Sequence, residues 1–407
     1  MAGGNTVPMP RRQSAASKKP KLPPLFNLSS GFDMQFFVLL MIVLIVGLAT
    51  LYSASHVYAF EYEGDSFFYI RKQLIFAVAG FVIMLAVSMM DYHYLHWVAW
   101  IGHGASILLL IVAYFMPSET GIHRWIQIGS ITIQPSEIAK FTLILLFAHY
   151  ISQHYKDIKK LTKGFLPLMG ILALTCLLVV IEPHLSGTML LVMLGLVMMF
   201  VGGVPLGYIA GIIGLGVVGV LVMVVVLGYE QDRIAVWLHP LESFANEITF
   251  ADGISGRDHA WQTVQSLYAI GSGGLVGLGF GKSRQKYLYL PFQYNDYIFA
   301  VVCEELGLVG AILIIGLFAM LILRGYWIAL RARDRFSTVL AAGLVTQIAV
   351  QTILNMGVVT NLLPSTGVAL PFFSYGGTAL AVNLGEMGIV LQISRYRDQR
   401  KIQEEIT

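Results

Sequence analysis

Charge is what this sequence has least of. Of 407 residues only 12% are Asp, Glu, Lys or Arg, against 57% hydrophobic. A soluble domain carries about 25% charged residues, because its surface has to be wetted. This composition, with a mean hydropathy of +0.73, therefore excludes a soluble globular protein and indicates a polytopic membrane protein. The net charge of +3 implies no nucleic-acid partner. Cysteine is equally scarce: Cys176 and Cys303 are the only two, both inside apolar runs with nothing at metal-ligand spacing. That excludes a disulfide framework and a zinc site and leaves them as packing residues. A cleavable signal peptide is also missing. Residues 1–30 carry Arg11, Arg12, Lys18, Lys19 and Lys21 among Ser, Ala and Pro, without a short apolar core. They read as a disordered basic tail. No internal repeat of the kind that builds many transporters is visible.

What is present is a series of apolar runs. A bilayer span needs about 20 mostly apolar residues, and about ten stretches qualify: near 34–55, 73–90, 94–116, 135–152, 165–182, 186–203, 205–228, 297–323, 336–360 and 375–394. The expected fold is an all-α polytopic membrane protein. Residues 31–396 form the membrane domain and 397–407 a second tail. Most of the 26 Lys and Arg fall in four clusters: the first tail, Lys156 to Lys163, Arg324 to Arg335, and Arg395 to Lys401. With ten spans these share one side, which the positive-inside rule makes the cytoplasm. Both termini are then cytoplasmic, and residues 229–296, between the seventh and eighth helices, form a large extracellular loop. A connection of that length is usually functional or carries structure of its own.

Several polar residues are costly at their expected depth. Glu137 and Lys140 lie three apart on one helical face, preceded by Arg124, and intramembrane ionisable groups face the protein interior or a wet cavity. The alternative is a buried pair that only fixes helix packing. Asp296 stands at the start of the eighth span, suited to a helix N-terminus. Glu304 and Glu305 lie deeper, and at least one is expected to face a polar cavity. In the loop, a P-loop ending at Gly281-Lys282-Ser283 fails because position 276 is Val276. What remains is an apolar, re-entrant-looking segment (Val264 to Ile270), a glycine turn (Gly271 to Gly274) and a basic run of Lys282, Arg284 and Lys286. These cations suit either lipid phosphates or simple snorkelling anchorage. The Pro- and Gly-punctuated stretch from Asn355 to Gly377 cannot be plain helix, and irregular backbone at that depth must be buried in protein or line a cavity.

The segments "HRWIQIGSITIQPSEIAK", "WQTVQSLYAIGSGGLVGLGFGKSRQKYLYLP", "NDYIFAVVCEELG" and "NMGVVTNLLPSTGVALPFFSYGG" resemble, in order and spacing, the shape, elongation, division and sporulation (SEDS) family typified by FtsW, RodA and SpoVE. "GFGKSRQKYLYLP" is more similar to the FtsW and SpoVE branch. The resemblance implies ten transmembrane helices in the cytoplasmic membrane. It implies a peptidoglycan glycosyltransferase that polymerises lipid II at the outer face during division or sporulation. The partners it implies are lipid II, a class B penicillin-binding protein transpeptidase, other divisome or sporulation proteins and membrane lipids. It also implies an essential aspartate ahead of a Gly-aromatic-Gln triplet, here Ala260-Trp261-Gln262. Asp252 in "FAD" is the first choice for that catalytic base and Asp258 the alternative. Substrate contacts are expected from Arg124, Glu137, Lys140, Gln265, Ser266, Arg284, Lys286, Asp296 and Ser374. A divalent ion, Mg2+ or Mn2+, bridging the lipid II diphosphate is compatible with this chemistry, but no metal site is readable. The chain departs from the family pattern at His184 and His239, where Asp is usual or common, and at Phe292, where Glu is usual. Two other readings compete: a lipid II flippase, which needs the polar intramembrane residues but no loop aspartate, and a non-enzymatic division scaffold.

Overall fold

The computed structural model describes residues 31–116, 125–128, 131–182, 185–222, 231–245 and 256–406. The basic tail, Asp252 and Arg124 lie outside them. Helices dominate: α1 (Met34–Glu63), α2 (Phe68–Met89), α3 (Leu95–Phe115), α4 (Pro135–Gln153), α5 (Leu166–Ile181), α6 (Leu185–Val201) and α7 (Leu206–Leu221). Then follow α8 (Gln231–Leu238), α9 (Pro240–Ala245), α10 (Gly256–Gly273), α11 (Ile298–Leu330), α12 (Arg335–Val359) and α13 (Gly377–Ile406). Among the described residues six helical segments are long and apolar enough to cross a membrane: α1, α2, Tyr92–Phe115, Leu161–Ile181, α11 and α12. Their outer faces expose Ile75, Val78, Trp97 and Ile101, as a lipid-facing surface requires.

One short element departs from the all-α expectation. Strands β1 (Ile126–Ile128) and β2 (Ile131–Ile133) pair antiparallel, with Ile126 opposite Ile133. The Ile-Gln-Ile and Ile-Thr-Ile alternation has the period of two that a strand needs. The long connection after α7 also carries structure, in α8, α9 and α10. Helix α10 packs along α11 and, through buried Ala260 and Val264, against Val236 of α8 and Phe244 of α9.

The two ends of the bundle are chemically distinct. At one end three aspartates each cap a helical segment and also hold a second helix. Asp33 accepts from Phe36 N at the start of α1 and binds Arg324 of α11 through two bonds of 3.0 and 2.8 Å. Asp334 forms a capping box with Ser337 and accepts from the Tyr92 hydroxyl. Asp91 caps the turn before α3 and accepts from the Tyr396 hydroxyl of α13. A carboxylate at a helix N-terminus satisfies free N–H groups and complements the helix dipole, so each aspartate serves its own helix and staples a neighbour. The basic clusters around residues 154–163 and 324–335 lie at this end, where Arg335 stacks on Tyr155.

The opposite end is irregular. α11 is broken at Gly307, whose φ of 65° and ψ of −167° are not helical. The glycine-rich segment after α10 enters the break: Leu278 N and Gly279 N donate to the carbonyls of Glu304 and Glu305, while Leu308 N and Val309 N donate to those of Gly274 and Leu275. The segment thus exchanges backbone hydrogen bonds with both sides of the break and supplies partners that the interrupted helix lacks. Two glycines make this approach possible. Gly277 has φ 80°, and a Cβ there would collide with the Glu305 carbonyl; a Cβ on Gly307 would strike the backbone of Leu275 and Gly277.

Gly277→Ala is therefore expected to cost about 3 kcal/mol, combining backbone strain with overpacking. Gly274→Ala, at φ 54° with open space around it, is expected to cost about 1 kcal/mol from strain alone. Thermal unfolding of the purified variants in detergent checks the order; equal losses would contradict the close backbone packing.

Candidate functional site

At the irregular end a cavity of about 1330 Å³ opens into the bundle. Its wall is built by the start of α2, the β1–β2 hairpin, the first turns of α4 and α6, the segment before α11, Gln351 of α12, and residues 367–376 leading into α13. α4 begins where Pro135 takes the first helical position, for which its fixed φ and missing N–H suit it. The next turn points Glu137 and Lys140 into the cavity from one face. Lys140 Nζ donates to Glu137 Oε1 at 2.7 Å, with 5% and 13% of the two side chains exposed. The two residues are thus paired with each other, and both line the cavity.

Around this pair the wall is polar and incompletely paired. Ser136 Oγ and Gln351 Oε1 are buried, line the cavity and have no hydrogen-bond partner among the described residues. Buried polar atoms are almost always bonded to protein, water or ligand, so these two leave bonding capacity for water or a polar occupant of the cavity. Deeper in the bundle Gln347 Nε2 donates to Glu386 Oε2 at 2.8 Å, leaving Glu386 Oε1 unpaired. Ser374 lines the cavity and ties its wall together: its hydroxyl donates to Asn295 O at 2.6 Å and accepts from Leu370 N at 2.8 Å. Gln73, fully buried, donates to Ser374 O and accepts from Gly376 N.

Other expected site residues are placed elsewhere. Lys286 is fully buried, and its ammonium donates to Glu305 Oε1 at 3.1 Å, Gly281 O at 2.6 Å and Ser53 Oγ at 3.4 Å. Three acceptors use three donors, so Lys286 pins the glycine-rich loop to α1 and α11 and does not line the cavity. Neither Glu304 nor Glu305 faces the cavity, contrary to expectation. Glu304 accepts from Arg284 N, Gln285 N and the Ser283 hydroxyl, and Glu305 accepts from Ser53 and Lys286. The Arg284 side chain is exposed outside the cavity. Gln265 and Ser266 are buried on α10, and Ser266 Oγ donates to Val359 O at 2.8 Å. Asp258 is exposed on the first turn of α10.

The Trp-Gln part of the triplet has a legible task. Trp261 Nε1 donates to Tyr289 O at 2.7 Å and Gln262 Nε2 to Pro291 O at 3.3 Å. This docks the start of α10 on the segment that leads to Phe292 at the cavity. Asp296 follows it: Asn355 Nδ2 of α12 holds its main-chain carbonyl at 2.6 Å, while its carboxylate Oδ1 is enclosed without a partner among the described residues. Burial pushes this carboxyl up to about 6. Sequence reasoning passed over Lys72, Gln73 and Gln351. Lys72 lines the cavity with its ammonium 3.9 Å from the centre of the Phe68 ring. The available signal was a cation beside the start of the second span.

The model of the FtsW/RodA/SpoVE family, described as cell cycle protein, matches residues 33–399. The chain is 38% identical over 377 residues to Stage V sporulation protein E of Bacillus subtilis, covering 89% of this chain and 97% of the relative. It is 35% identical over 371 residues to a probable peptidoglycan glycosyltransferase FtsW of Geobacter metallireducens, covering 89% and 94%. A chain of a peptidoglycan synthase complex, described as coordinating polymerization and crosslinking, superposes with a TM-score of 0.71 at 23% identity over 92% of this chain and all of that one. The crystal structure of a Thermus thermophilus rod shape determining protein RodA gives 0.61 at 23%, over 91% and 98%. These two likenesses concern the fold.

Two measurements follow from the geometry. Lys286→Met leaves the Glu305 carboxylate buried without its cation, so it is expected to destabilise by about 3–5 kcal/mol, read as a lowered unfolding midpoint; loss of activity at unchanged stability would return Lys286 to the substrate contacts. For Asp296, a folded-state pKa raised above the unfolded value of about 3.9 gives a contribution to stability fully present below pH 4 and lost as pH rises through about 6. Relative to wild type, Asp296→Asn should accordingly gain stability between pH 4 and pH 8 in thermal melts, and a constant difference across that range would contradict the assignment.

Proposed function

The chain belongs to the FtsW, RodA and SpoVE family of cell cycle proteins, and from that premise we propose that this multi-pass membrane protein is a peptidoglycan glycosyltransferase that polymerises lipid II at the outer face of the cytoplasmic membrane. Curated relatives carrying that enzymatic name match at 35% identity across most of both chains. The structural observation that carries the reading is the cavity, where a buried ammonium stands among unpartnered polar atoms at the end of the bundle bearing the long loop. In the proposed topology ten helices span the membrane. The end stapled by Asp33, Asp91 and Asp334 faces the cytoplasm, as its basic clusters favour, and the cavity end faces outward. The partner is a class B transpeptidase; the likeness to a chain of a complex that joins polymerization to crosslinking supports it at the level of fold.

The chemistry joins two lipid-linked saccharides. A hydroxyl of one attacks the anomeric carbon of the other, a carboxylate takes the hydroxyl proton, a C–O bond forms, and the diphosphate leaves with the electron pair of the broken C–O bond. General-base assistance of this kind contributes about 10²–10⁴-fold. Asp252 is proposed for it on the resemblance of its sequence context to the family's aspartate ahead of the aromatic-Gln pair Trp261-Gln262. A single displacement inverts the anomeric centre. Lys140 and Lys72, the cations lining the cavity among the described residues, are placed to balance charge on the diphosphate. Arg124 and Arg284 are proposed as further contacts on the approach. The described residues do not fit a resident metal ion: no cluster of three or more His, Cys, Asp or Glu occurs among them, and Glu137 is committed to Lys140. Mg2+ or Mn2+ is proposed only as a companion carried in on the diphosphate, and no step here runs through it.

Incubation of the purified protein and its transpeptidase partner with lipid II should yield glycan strands on a gel. Asp252→Asn should lower the rate at least about a hundredfold, and Asp258→Asn should leave most of it. The reverse pattern would move the base to Asp258. Transport of lipid II with no strands would replace the enzyme by a flippase.

A further inference from the structure

The outer part of the cavity is aromatic in a way the proposed chemistry does not use. Tyr69 and Tyr294 stack at 4.6 Å with 27° between their planes, and Tyr375 meets Tyr69 edge-on at 4.9 Å. Tyr58 backs Tyr294 at 5.0 Å. Three of these rings line the cavity, together with Trp125 and Phe292, which are 48% and 56% exposed. The rings therefore grade from nearly buried Tyr69 to an open rim. Phe292 is held at φ 54°, a left-handed conformation that costs a bulky residue about 1–2 kcal/mol. Its ring stays exposed, so burial does not offset that cost. Strain of this sort persists where surrounding structure imposes it and collects at ligand sites.

We infer that these rings form a carbohydrate subsite that holds pyranose units of the glycan strand at the mouth of the cavity. A pyranose has apolar C–H faces and a hydroxyl-bearing rim. Aromatic faces cover the first, and phenol hydroxyls bond the second. A wall built for an acyl chain needs no hydroxyls, yet phenols dominate this cluster and the cavity beyond it turns polar at Ser136, Lys140 and Gln351. The position also suits a strand: Trp125 and Phe292 at the rim are exposed, while Lys140, proposed for the diphosphate, is buried. The inference rests on the glycosyltransferase reading for the identity of the sugar, but the rings and their exposure stand independently of it.

The probe is a lipid-free tetrasaccharide of alternating N-acetylglucosamine and N-acetylmuramic acid. Its binding to the full chain in nanodiscs is followed by saturation-transfer NMR. Trp125→Leu and Phe292→Leu, both exposed and safe for folding, should each weaken binding about fivefold, and Tyr294→Phe should weaken it less than Tyr294→Leu. Strands made from lipid II by the rim variants should be shorter. A protein that makes strands but does not bind the tetrasaccharide, or rim variants that bind it as wild type does, would overturn the subsite and leave the enzymatic reading intact. Displacement of the tetrasaccharide from these rings by sugar-free undecaprenyl phosphate would also overturn it, by making the occupant a lipid tail. Tetrasaccharide binding without strand synthesis would support the subsite and refute the polymerase.

Discussion

Hydrocarbon offers no water to a stray backbone amide, and that constraint organises the functional end of this protein. α11 is interrupted at Gly307, and an interruption inside a membrane is tolerable only if something supplies the missing partners. The glycine segment after α10 supplies them from its own backbone. Once it is seated, the buried acids follow: Glu304 gathers the amides of Arg284 and Gln285, and Glu305 faces Lys286 and Ser53. The loop is thereby fixed to α1, α10 and α11 together, and the residues at the cavity rim take their positions from it.

Two lysines show how the same side chain is put to different ends. The ammonium of Lys286 has its donors fully occupied by protein and is sealed from solvent. That of Lys140 has one carboxylate partner and an open cavity beside it. A charge removed from water needs close pairing to be tolerated. The first is closed against any newcomer, while the second keeps bonding capacity for one. The unpartnered oxygens of Ser136 and Gln351 extend that spare capacity along the wall.

Much of the architecture was legible because the bilayer sets a length that the chain must meet in apolar residues; among the described residues a helix lies in each run so identified. Helix ends were less legible: α1 continues past its apolar run to Glu63, since a helix leaving the membrane needs no apolar side chains to go on. The β1–β2 hairpin was visible as a period of two but lay within a stretch read for its charges. Glu137 and Lys140 were singled out because a costly charge at depth announces itself, whereas Ser374 came only from the resemblance of its segment to the family. Lys286 looked like one of a basic run, since burial depends on Glu305 and Ser53, which arrive from other helices and leave no mark in local spacing. Lys72 and Gln351 were passed over for the converse reason: each is unremarkable in its own helix and acquires meaning only from the cavity that several helices enclose.

The break in α11 has a mechanical side as well. Unbroken, thirty-three residues would make a rod about 50 Å long, and twisting one end would twist the other. The joint at Gly307 is splinted instead: the glycine segment bonds the carbonyls of Glu304 and Glu305 on one side and the amides of Leu308 and Val309 on the other, so a force on either piece is passed to the other through the loop.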